Sequence, residues 1–371
     1  MSKINWKKVI GWGVAVLVVI GVVGTNMYNQ QQNSDNSKKN VYVLIPLSGP
    51  IAQSGHDYQK ALTYAYDNLK NPQIRLVFLD DEFNATKAVT ALSQATLNDE
   101  NPLVVAWGAI ISFAAIPAVK NGFVMAGGTV ELDDLKKFDN YHRFSVASSA
   151  TTELATNYLA KENKKTGLLY SYDMYGSNGY KVFSSIMNQK NIPFVAMDFD
   201  PNTLSIRDIT AKFLLKNPDI DTIFISATAT APFLKLFQEL REQGFTGKIV
   251  SDMSFAQKFV LDSLGKYAED VVFVTLEPHL DNPRTTQAKE YRDFALRNGM
   301  YPSFSSIEGY DMVNIINKMM EKKIPFTQKS FTDMKEYDGV SGKVLFPSTG
   351  NTAYPFILAQ VKNGKIVPVT E

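Results

Sequence analysis

Small polar residues and glycines follow several apolar runs in this sequence, at positions where they could bind a negatively charged group. Ser112 comes six residues after the apolar run 103–106, at the start of a predicted helix over 113–119. Gly127 and Thr129 follow the next apolar run. The first N–H groups of a helix have no partner within it, and a hydroxyl beside them suits a carboxylate. The alternatives are that Ser112 is an ordinary N-cap and that the glycine belongs to a tight turn.

Further along the chain, two residues are suited to contact a positively charged group. Asp252 follows the apolar run 248–250 and could pair with an ammonium group, and Tyr175 follows the run 166–169, where its ring could face a ligand. The alternatives are a solvated aspartate and a tyrosine that packs in the core. Taken singly, each of these residues leaves both interpretations open.

Catalytic and metal chemistry have little support. His56, His142 and His279 lie far apart, so surface or packing roles are expected for them. The sequence has no cysteine, which excludes thiol nucleophiles, disulfides and zinc–thiolate sites. Asp80 and Asp81 lack the alternating spacing of a calcium loop and are expected in a solvated loop. We therefore expect no catalytic residue, no cofactor and no metal.

The candidate residues need strands that all end on one side. From Val41 onward, short apolar runs alternate with amphipathic runs, which predicts an α/β protein with two doubly wound parallel-sheet units. Predicted strands are 41–47, 74–79, 103–106, 123–126 and 141–144, then 166–169, 194–199, 222–226, 248–250 and 271–275, with late hairpin-like strands at 342–345 and 354–361. Ligands of such sheets bind beyond the carboxyl ends of the strands, so a cleft between the units should hold the polar residues.

Composition agrees with two globular units. The chain has 371 residues, 45% of them hydrophobic, and a formal net charge of +1. Residues 1–40 contain five lysines and one aspartate, so acids outnumber bases in the rest. A mildly acidic body excludes nucleic acid as the natural partner.

The N-terminus carries a targeting or anchoring segment. Three lysines precede the mostly apolar stretch 9–28, which at 20 residues spans about 30 Å as a helix, enough to cross a bilayer. The positive flank places the N-terminus in the cytoplasm and the body outside it. We favour a retained anchor over residues 1–28, and the alternative is a cleaved signal peptide. The polar segment 29–40 is expected to be a flexible tether.

Four short motifs resemble one protein family. They are the stretch 47–55 (LSGPIAQSG), the acidic pair Asp80-Asp81, the turn 173–176 (DMYG) and the stretch 337–342 (YDGVSG). In this order they are similar to the type I periplasmic binding proteins of the leucine/isoleucine/valine-binding branch. The resemblance covers about residues 41–367.

The resemblance implies two lobes joined by three hinge crossings, near 144–147, 275–277 and 337–343. The first lobe would contain residues 41–145 plus 277–337. The second would contain residues 146–276 plus 338–371.

The resemblance also implies roles for individual residues. Ser112 and Thr129 fall on the family's carboxylate-binding positions, with Gly127 supplying backbone groups. Asp252 falls on the position of the acid that holds the α-ammonium, and Tyr175 on that of a tyrosine lining the closed cleft.

Three further positions should line the ligand. Ile110 lies beside the carboxylate position. Ser54 and Thr228 replace aromatic residues of the branched-chain amino acid binders, which would make the cleft larger and more polar. Leucine, isoleucine or valine is therefore not assumed to be the ligand.

These expectations describe a solute-binding protein that delivers an amino acid or similar small carboxylate to an ABC permease. It would be held at the outer face of the cytoplasmic membrane by its N-terminal helix. The alternatives are a sensory ectodomain working with a separate signalling partner, an enzyme with an α/β cleft, and a scaffold protein that binds no ligand.

Overall fold

The computed structural model of the protein describes residues 38–49, 51–128, 138–348 and 351–369. Its first sheet has five parallel strands in the order β2-β1-β3-β4-β5. The strands are β1 (Lys39–Ile45), β2 (Ile74–Asp80), β3 (Leu103–Trp107), β4 (Phe123–Gly127) and β5 (Tyr141–Arg143). The helices between the first four strands are α1 (Ala52–Asp67), α2 (Ala85–Ala95) and α3 (Ala109–Ala118). This agrees with the predicted first parallel unit.

Strand β1 shows why apolar runs become central strands here. Val43 packs with Leu62 of α1 on one face of the sheet, and Leu44 packs with Leu92 of α2 on the other. Because helices cover both faces of the sheet, this strand is apolar at successive positions and lacks the alternating polar residues of a strand with one face in water. The strand begins at Lys39, so it includes the last two residues of the predicted tether.

The second sheet has seven strands in the order β14-β13-β10-β9-β8-β6-β7. Its parallel part is β6 (Thr166–Ser171), β7 (Phe194–Phe199), β8 (Thr222–Ser226), β9 (Lys248–Ser251) and β10 (Val272–Thr275). The helices among these strands are α4 (Ser148–Ala160), α5 (Met174–Gln189), α6 (Ile206–Lys216), α7 (Ala231–Glu242) and α8 (Lys258–Leu264). The sequence predicted all five strands and all of these helices except the short α8.

The end of the chain adds antiparallel strands to the second of the predicted parallel units. Strands β13 (Ile357–Lys362) and β14 (Lys365–Pro368) add to the second sheet in antiparallel pairing. Asn363 and Gly364, both with positive φ, form the two-residue turn between them, as Asn-Gly does in type I′ hairpins. The prediction that 342–345 and 354–361 form a hairpin is wrong, because β12 (Gly342–Leu345) pairs with β11 (Glu336–Gly339) instead.

The chain passes between the sheets three times. It leaves the first sheet after β5 through the buried segment 144–147 and returns after β10. It then forms α9 (Thr286–Arg297), α10 (Phe304–Glu321) and α11 (Gln328–Met334), with α10 packed on α1 and α11 on β5. The β11–β12 hairpin precedes the third passage. We call the first sheet, with the helices packed on it, the first lobe. The second sheet, with its own helices, is the second lobe.

The predicted anchor at 1–28 and most of the tether lie outside the described residues. Within the described part of the chain, none of the helices combines the length and apolar character needed to cross a membrane.

Candidate functional site

The carboxyl ends of β3 and β4 bring a helix start and a glycine pair together. Helix α3 begins at Ala109, after Gly108 with φ 100°, and its first internal hydrogen bond runs from Ser112 N to Gly108 O over 2.9 Å. Gly108 N donates to Gly127 O over 2.9 Å, which joins the two loops. The N–H groups without a partner in the helix are therefore those that precede Ser112.

This geometry corrects the prediction for Ser112. The helix begins four residues earlier than predicted, so Ser112 is not an N-cap. Its side chain is fully buried, and its Oγ donates to Ala106 O over 3.1 Å. Ile110, by contrast, is 53% exposed at the helix start.

The loop after β4 depends on two glycines. A Cβ on Gly127 would lie 2.8 Å from the Tyr58 hydroxyl, and Gly128 has φ 57°. Thr129 lies outside the described residues. Ser54 is exposed near the start of α1, at the carboxyl end of β1.

The acidic pair at the end of β2 joins two loops of this edge. The prediction of a solvated loop is confirmed for Asp80, which is exposed, and is wrong for Asp81. Asp80 accepts from Leu47 N over 2.9 Å and from Ser48 Oγ over 2.7 Å. Asp81 is fully buried and accepts from Phe83 N over 2.7 Å. Burial raises the pKa of Asp81 to about 6, whereas for Asp80 the hydrogen bonds outweigh burial and lower its pKa.

The carboxyl ends of β8 and β9 hold a buried carboxylate in the second lobe. Asp252 is fully buried; its Oδ2 accepts from Ser226 Oγ over 2.6 Å and its Oδ1 accepts from Ser254 N over 3.0 Å. Burial raises its pKa, and these two hydrogen bonds oppose the shift. The buried hydroxyl of Tyr175 lies close to Asp252 but makes no hydrogen bond of normal geometry with a described residue. Burial and the Asp252 charge raise the pKa of Tyr175.

A second carboxylate at this edge was not among the predicted site residues. Asp173 accepts from Thr228 Oγ1 over 2.7 Å, and from Ser171 Oγ and Gly176 N, each over 2.9 Å. It thereby joins the loops after β6 and β8 and caps α5. Aspartate is a common N-cap residue, so an Asp just before a predicted helix is the sequence signal that could have revealed it.

The structure therefore groups the predicted residues by lobe. Ile110, Ser112 and Gly127 lie at the carboxyl ends of β3 and β4. Tyr175, Thr228 and Asp252 follow the neighbouring strands β6, β8 and β9.

A buried glutamate on α10 connects the first-lobe loop to the first crossing. The Oε2 of Glu308 accepts from Gly128 N over 3.0 Å, while its Oε1 accepts from Val146 N over 2.8 Å and Ser145 Oγ over 3.1 Å. Burial raises the pKa of Glu308 to about 7, against these hydrogen bonds. Nothing near Glu308 in the sequence marks it, because its partners are more than 160 residues away.

The three histidines have the surface or packing roles predicted for them. His142 and His279 are buried, and burial lowers the pKa of each to about 3, so both are neutral at pH 7. His56 is exposed. Across the described ranges, no three His, Cys, Asp or Glu residues form a group that could hold a metal ion.

Known proteins share this architecture. A family model described as periplasmic binding protein matches residues 40–365. A leucine-binding protein from Thermotoga maritima is 17% identical with a TM-score of 0.72, covering 90% of this chain and 98% of that one. An ABC transporter substrate-binding protein from Desulfitobacterium hafniense in complex with Leu is 17% identical with a TM-score of 0.69, covering 90% and 100%.

A third similar structure binds a different ligand. It is a solute-binding protein of an ABC transporter from Rhodopseudomonas palustris BisB5 in complex with 3,4-dihydroxybenzoic acid, 17% identical with a TM-score of 0.72, covering 90% of this chain and 96% of that one. At these identities the likeness establishes the fold alone. No curated protein sequence matches this chain.

Proposed function

Because the chain belongs to the periplasmic binding protein family, we propose that it captures an amino acid or a similar small carboxylate between its lobes and delivers it to an ABC import permease. The resemblance to the leucine-binding branch is confirmed by the family match and by neighbours that include leucine-binding proteins. Proteins of this family bind substrates and are not enzymes, as predicted.

The observation that carries the proposal is the opposite chemistry of the two strand edges. At the ends of β3 and β4 the first lobe offers a helix start and glycine backbone, and at the ends of β6 and β9 the second lobe offers the carboxylates Asp173 and Asp252. Helix starts attract anions and carboxylates attract ammonium groups, so a zwitterion fits with its carboxylate on the first lobe.

The individual roles follow from this orientation. The free N–H groups at the start of α3, together with Gly127 and Thr129, hold the carboxylate, and Ile110 contacts the ligand's apolar part. Ser112 supports this site through its hydrogen bond to Ala106 O. Asp252 holds the ammonium group, because each of its oxygens has one hydrogen bond and can accept another. Tyr175, Thr228 and Ser54 line the remaining wall.

The proposal includes the protein's place in the cell. Family membership implies a location outside the cytoplasm. We propose that residues 1–28 anchor the protein in the cytoplasmic membrane or direct its export, with a tether up to the start of β1. The lobes divide at 145/146, 276/277 and 337/338.

Isothermal titration calorimetry with a panel of amino acids and hydroxybenzoates tests the proposal, since similar structures hold ligands of both kinds. An amino acid that binds with one-to-one stoichiometry and raises the melting temperature supports it. Binding of hydroxybenzoates alone would contradict the role of Asp252, and binding of no panel member would contradict the proposed ligand class.

A further inference from the structure

A cavity of about 230 Å³ lies beside the β11–β12 hairpin, apart from the strand edges described above. Helices α1, α9 and α10 form its other walls. The residues Ser54, Ile110, Ser112, Tyr175 and Asp252 do not line it. Its ligand would therefore be different from that of the strand edges.

Four tyrosines line this cavity: Tyr64, Tyr291, Tyr310 and Tyr337. The ring centroids of Tyr291 and Tyr310 are 5.2 Å apart, and those of Tyr64 and Tyr310 are 5.8 Å apart. Lys318 Nζ lies 5.2 Å from the ring centroid of Tyr337, so that ring already contacts one ammonium group. Tyrosine faces attract cations through the ring quadrupole.

Three carboxylates give the cavity a negative charge. Glu290 and Asp338 are exposed, and Asp311 is fully buried in the wall. Asp311 Oδ1 accepts from Val340 N over 3.0 Å, but its Oδ2 has no hydrogen-bond partner among the described residues. A buried carboxylate oxygen without a partner is costly, and a cation would provide one.

Other ligand classes fit less well. Neither lysine nor arginine is among the described residues that line the cavity, so an anion would meet uncompensated negative charge. A metal ion would need several converging acids or histidines, and the described residues contain no such group.

We infer that this cavity is a second ligand site, for a small organic ammonium cation held by the tyrosine rings and the Asp311 carboxylate. Its volume is below that of sites for drug-sized ligands, which limits the cation to a few heavy atoms. The site does not depend on the proposed transport function.

The charge of Asp311 makes binding depend on pH. Burial raises the pKa of Asp311 to about 7, against the hydrogen bond from Val340 N. Because the ionised form attracts the cation, affinity should rise about tenfold from pH 6 to pH 8. Four tyrosines face Asp311 from the surrounding elements, and their raised pKa values keep them neutral in this range: Tyr291, Tyr310, Tyr337 and Tyr354. The other ionisable groups near Asp311 are Glu290 and Asp338, which line the same cavity, and Lys318, which lies beside the Tyr337 ring.

Titration of the full chain with methylammonium chloride, whose N–H groups can donate to Asp311 Oδ2, against sodium chloride at equal ionic strength, tests the inference. We expect saturable binding at pH 8, with methyl proton resonances shifted upfield by the tyrosine rings. Asp311→Asn keeps an oxygen for Val340 N and removes the charge, so it should weaken binding by about tenfold or more. Asp270→Asn, at an exposed acid of the second lobe, is the matched control and should bind as the unmodified chain does.

The inference fails if sodium and methylammonium give the same response, or if Asp311→Asn binds methylammonium equally tightly. A signal lost in Asp252→Asn and kept in Asp311→Asn would assign the cation to the strand edges and also overturn it. If Asp311→Asn does not fold, the unmodified chain decides, since an affinity that stays constant between pH 6 and pH 8 contradicts the site.

Discussion

The carboxyl ends of the parallel strands present different chemical groups in the two lobes. In the first lobe the ends of β3 and β4 present backbone groups, with a helix start at Ala109 and glycines at 127 and 128. The acidic pair of this lobe lies at the end of β2, where Asp80 and Asp81 accept hydrogen bonds from the adjoining loops. In the second lobe the strand ends present carboxylates, each held by neighbouring hydroxyls. The same fold element thus supplies an anion site in one lobe and a cation site in the other.

This difference determines in which lobe a single substitution can remove a ligand-binding group. The groups of the second lobe are side chains, so one substitution removes a charge. The groups of the first lobe are mainly backbone N–H groups, which side-chain substitutions leave in place. Ligand affinity should therefore respond more strongly to substitutions in the second lobe.

The largest effect is expected from Asp252→Asn. Removing the partner of a buried ammonium group costs about 3 kcal/mol, which is roughly a hundredfold in amino-acid affinity by calorimetry. Affinity should also fall as the pH is lowered, because the raised pKa of Asp252 lets it protonate sooner than an ordinary aspartate.

Asp173→Asn is the matched comparison within the same lobe. It keeps an acceptor for the α5 cap but removes the charge and the second oxygen, which accepts from Thr228 Oγ1. Its effect should be smaller than that of Asp252→Asn, which removes the proposed partner of the ammonium group. An equal or greater loss would assign the ammonium group to Asp173 instead. Unchanged affinity in Asp252→Asn would refute the contrast between the lobes.

The sequence predicts the sheets well because each strand is decided locally. A run such as 41–45 is apolar throughout, and only a strand covered on both faces explains it. The short helices α8 and α11 were missed because seven residues carry too little periodicity. The Asn363-Gly364 pair is a local hairpin signal, but the predicted strand 354–361 ends before it.

The site was harder to predict where it depends on backbone conformation or distant partners. The start of α3 is determined by Gly108, which has a positive φ. The sequence instead indicates a start after Ser112, because serine is a common N-cap residue. Glu308 contacts loops that are more than 160 residues away, so no local pattern reveals it. By contrast, Asp252 and Tyr175 follow predicted strands directly, and the structure places them together.

The second-largest effect concerns the pH dependence of stability in the first lobe. Glu308 has a pKa of about 7 in the folded chain, above the unfolded value of about 4.3. Its stabilising contribution is therefore complete below the unfolded pKa and is lost as the pH rises through 7. Between pH 5 and pH 8 the unmodified chain should lose about 2 kcal/mol more unfolding free energy than Glu308→Gln.

Urea denaturation at pH 5 and pH 8 measures this slope. Asp270→Asn serves as the control and should keep the slope of the unmodified chain. If Glu308→Gln also keeps the slope of the unmodified chain, Glu308 is not the titrating group. The claim that its ionisation lowers the stability of the first lobe would then be wrong.

A third effect tests the backbone chemistry of the first lobe directly. Ala109→Pro removes one N–H group at the first helical position, where proline is tolerated because that N–H has no helical partner. A hydrogen bond to a charged group contributes about 1.5 kcal/mol or more, so amino-acid affinity should fall about tenfold. Circular dichroism checks that the fold is retained, and unchanged affinity would remove the helix start from the site.

The smallest effect is expected from Ser112→Ala, and it separates the hydroxyl from the backbone beside it. Ser112 Oγ already donates its proton to Ala106 O, so it cannot also donate that proton to a ligand carboxylate. We expect about a threefold loss in calorimetric affinity, less than for Ala109→Pro, because only a neutral hydrogen bond of about 0.5–1 kcal/mol is removed. If Ser112→Ala costs more than Ala109→Pro, the hydroxyl turns toward the ligand on binding, and both lobes then recognise it through side chains.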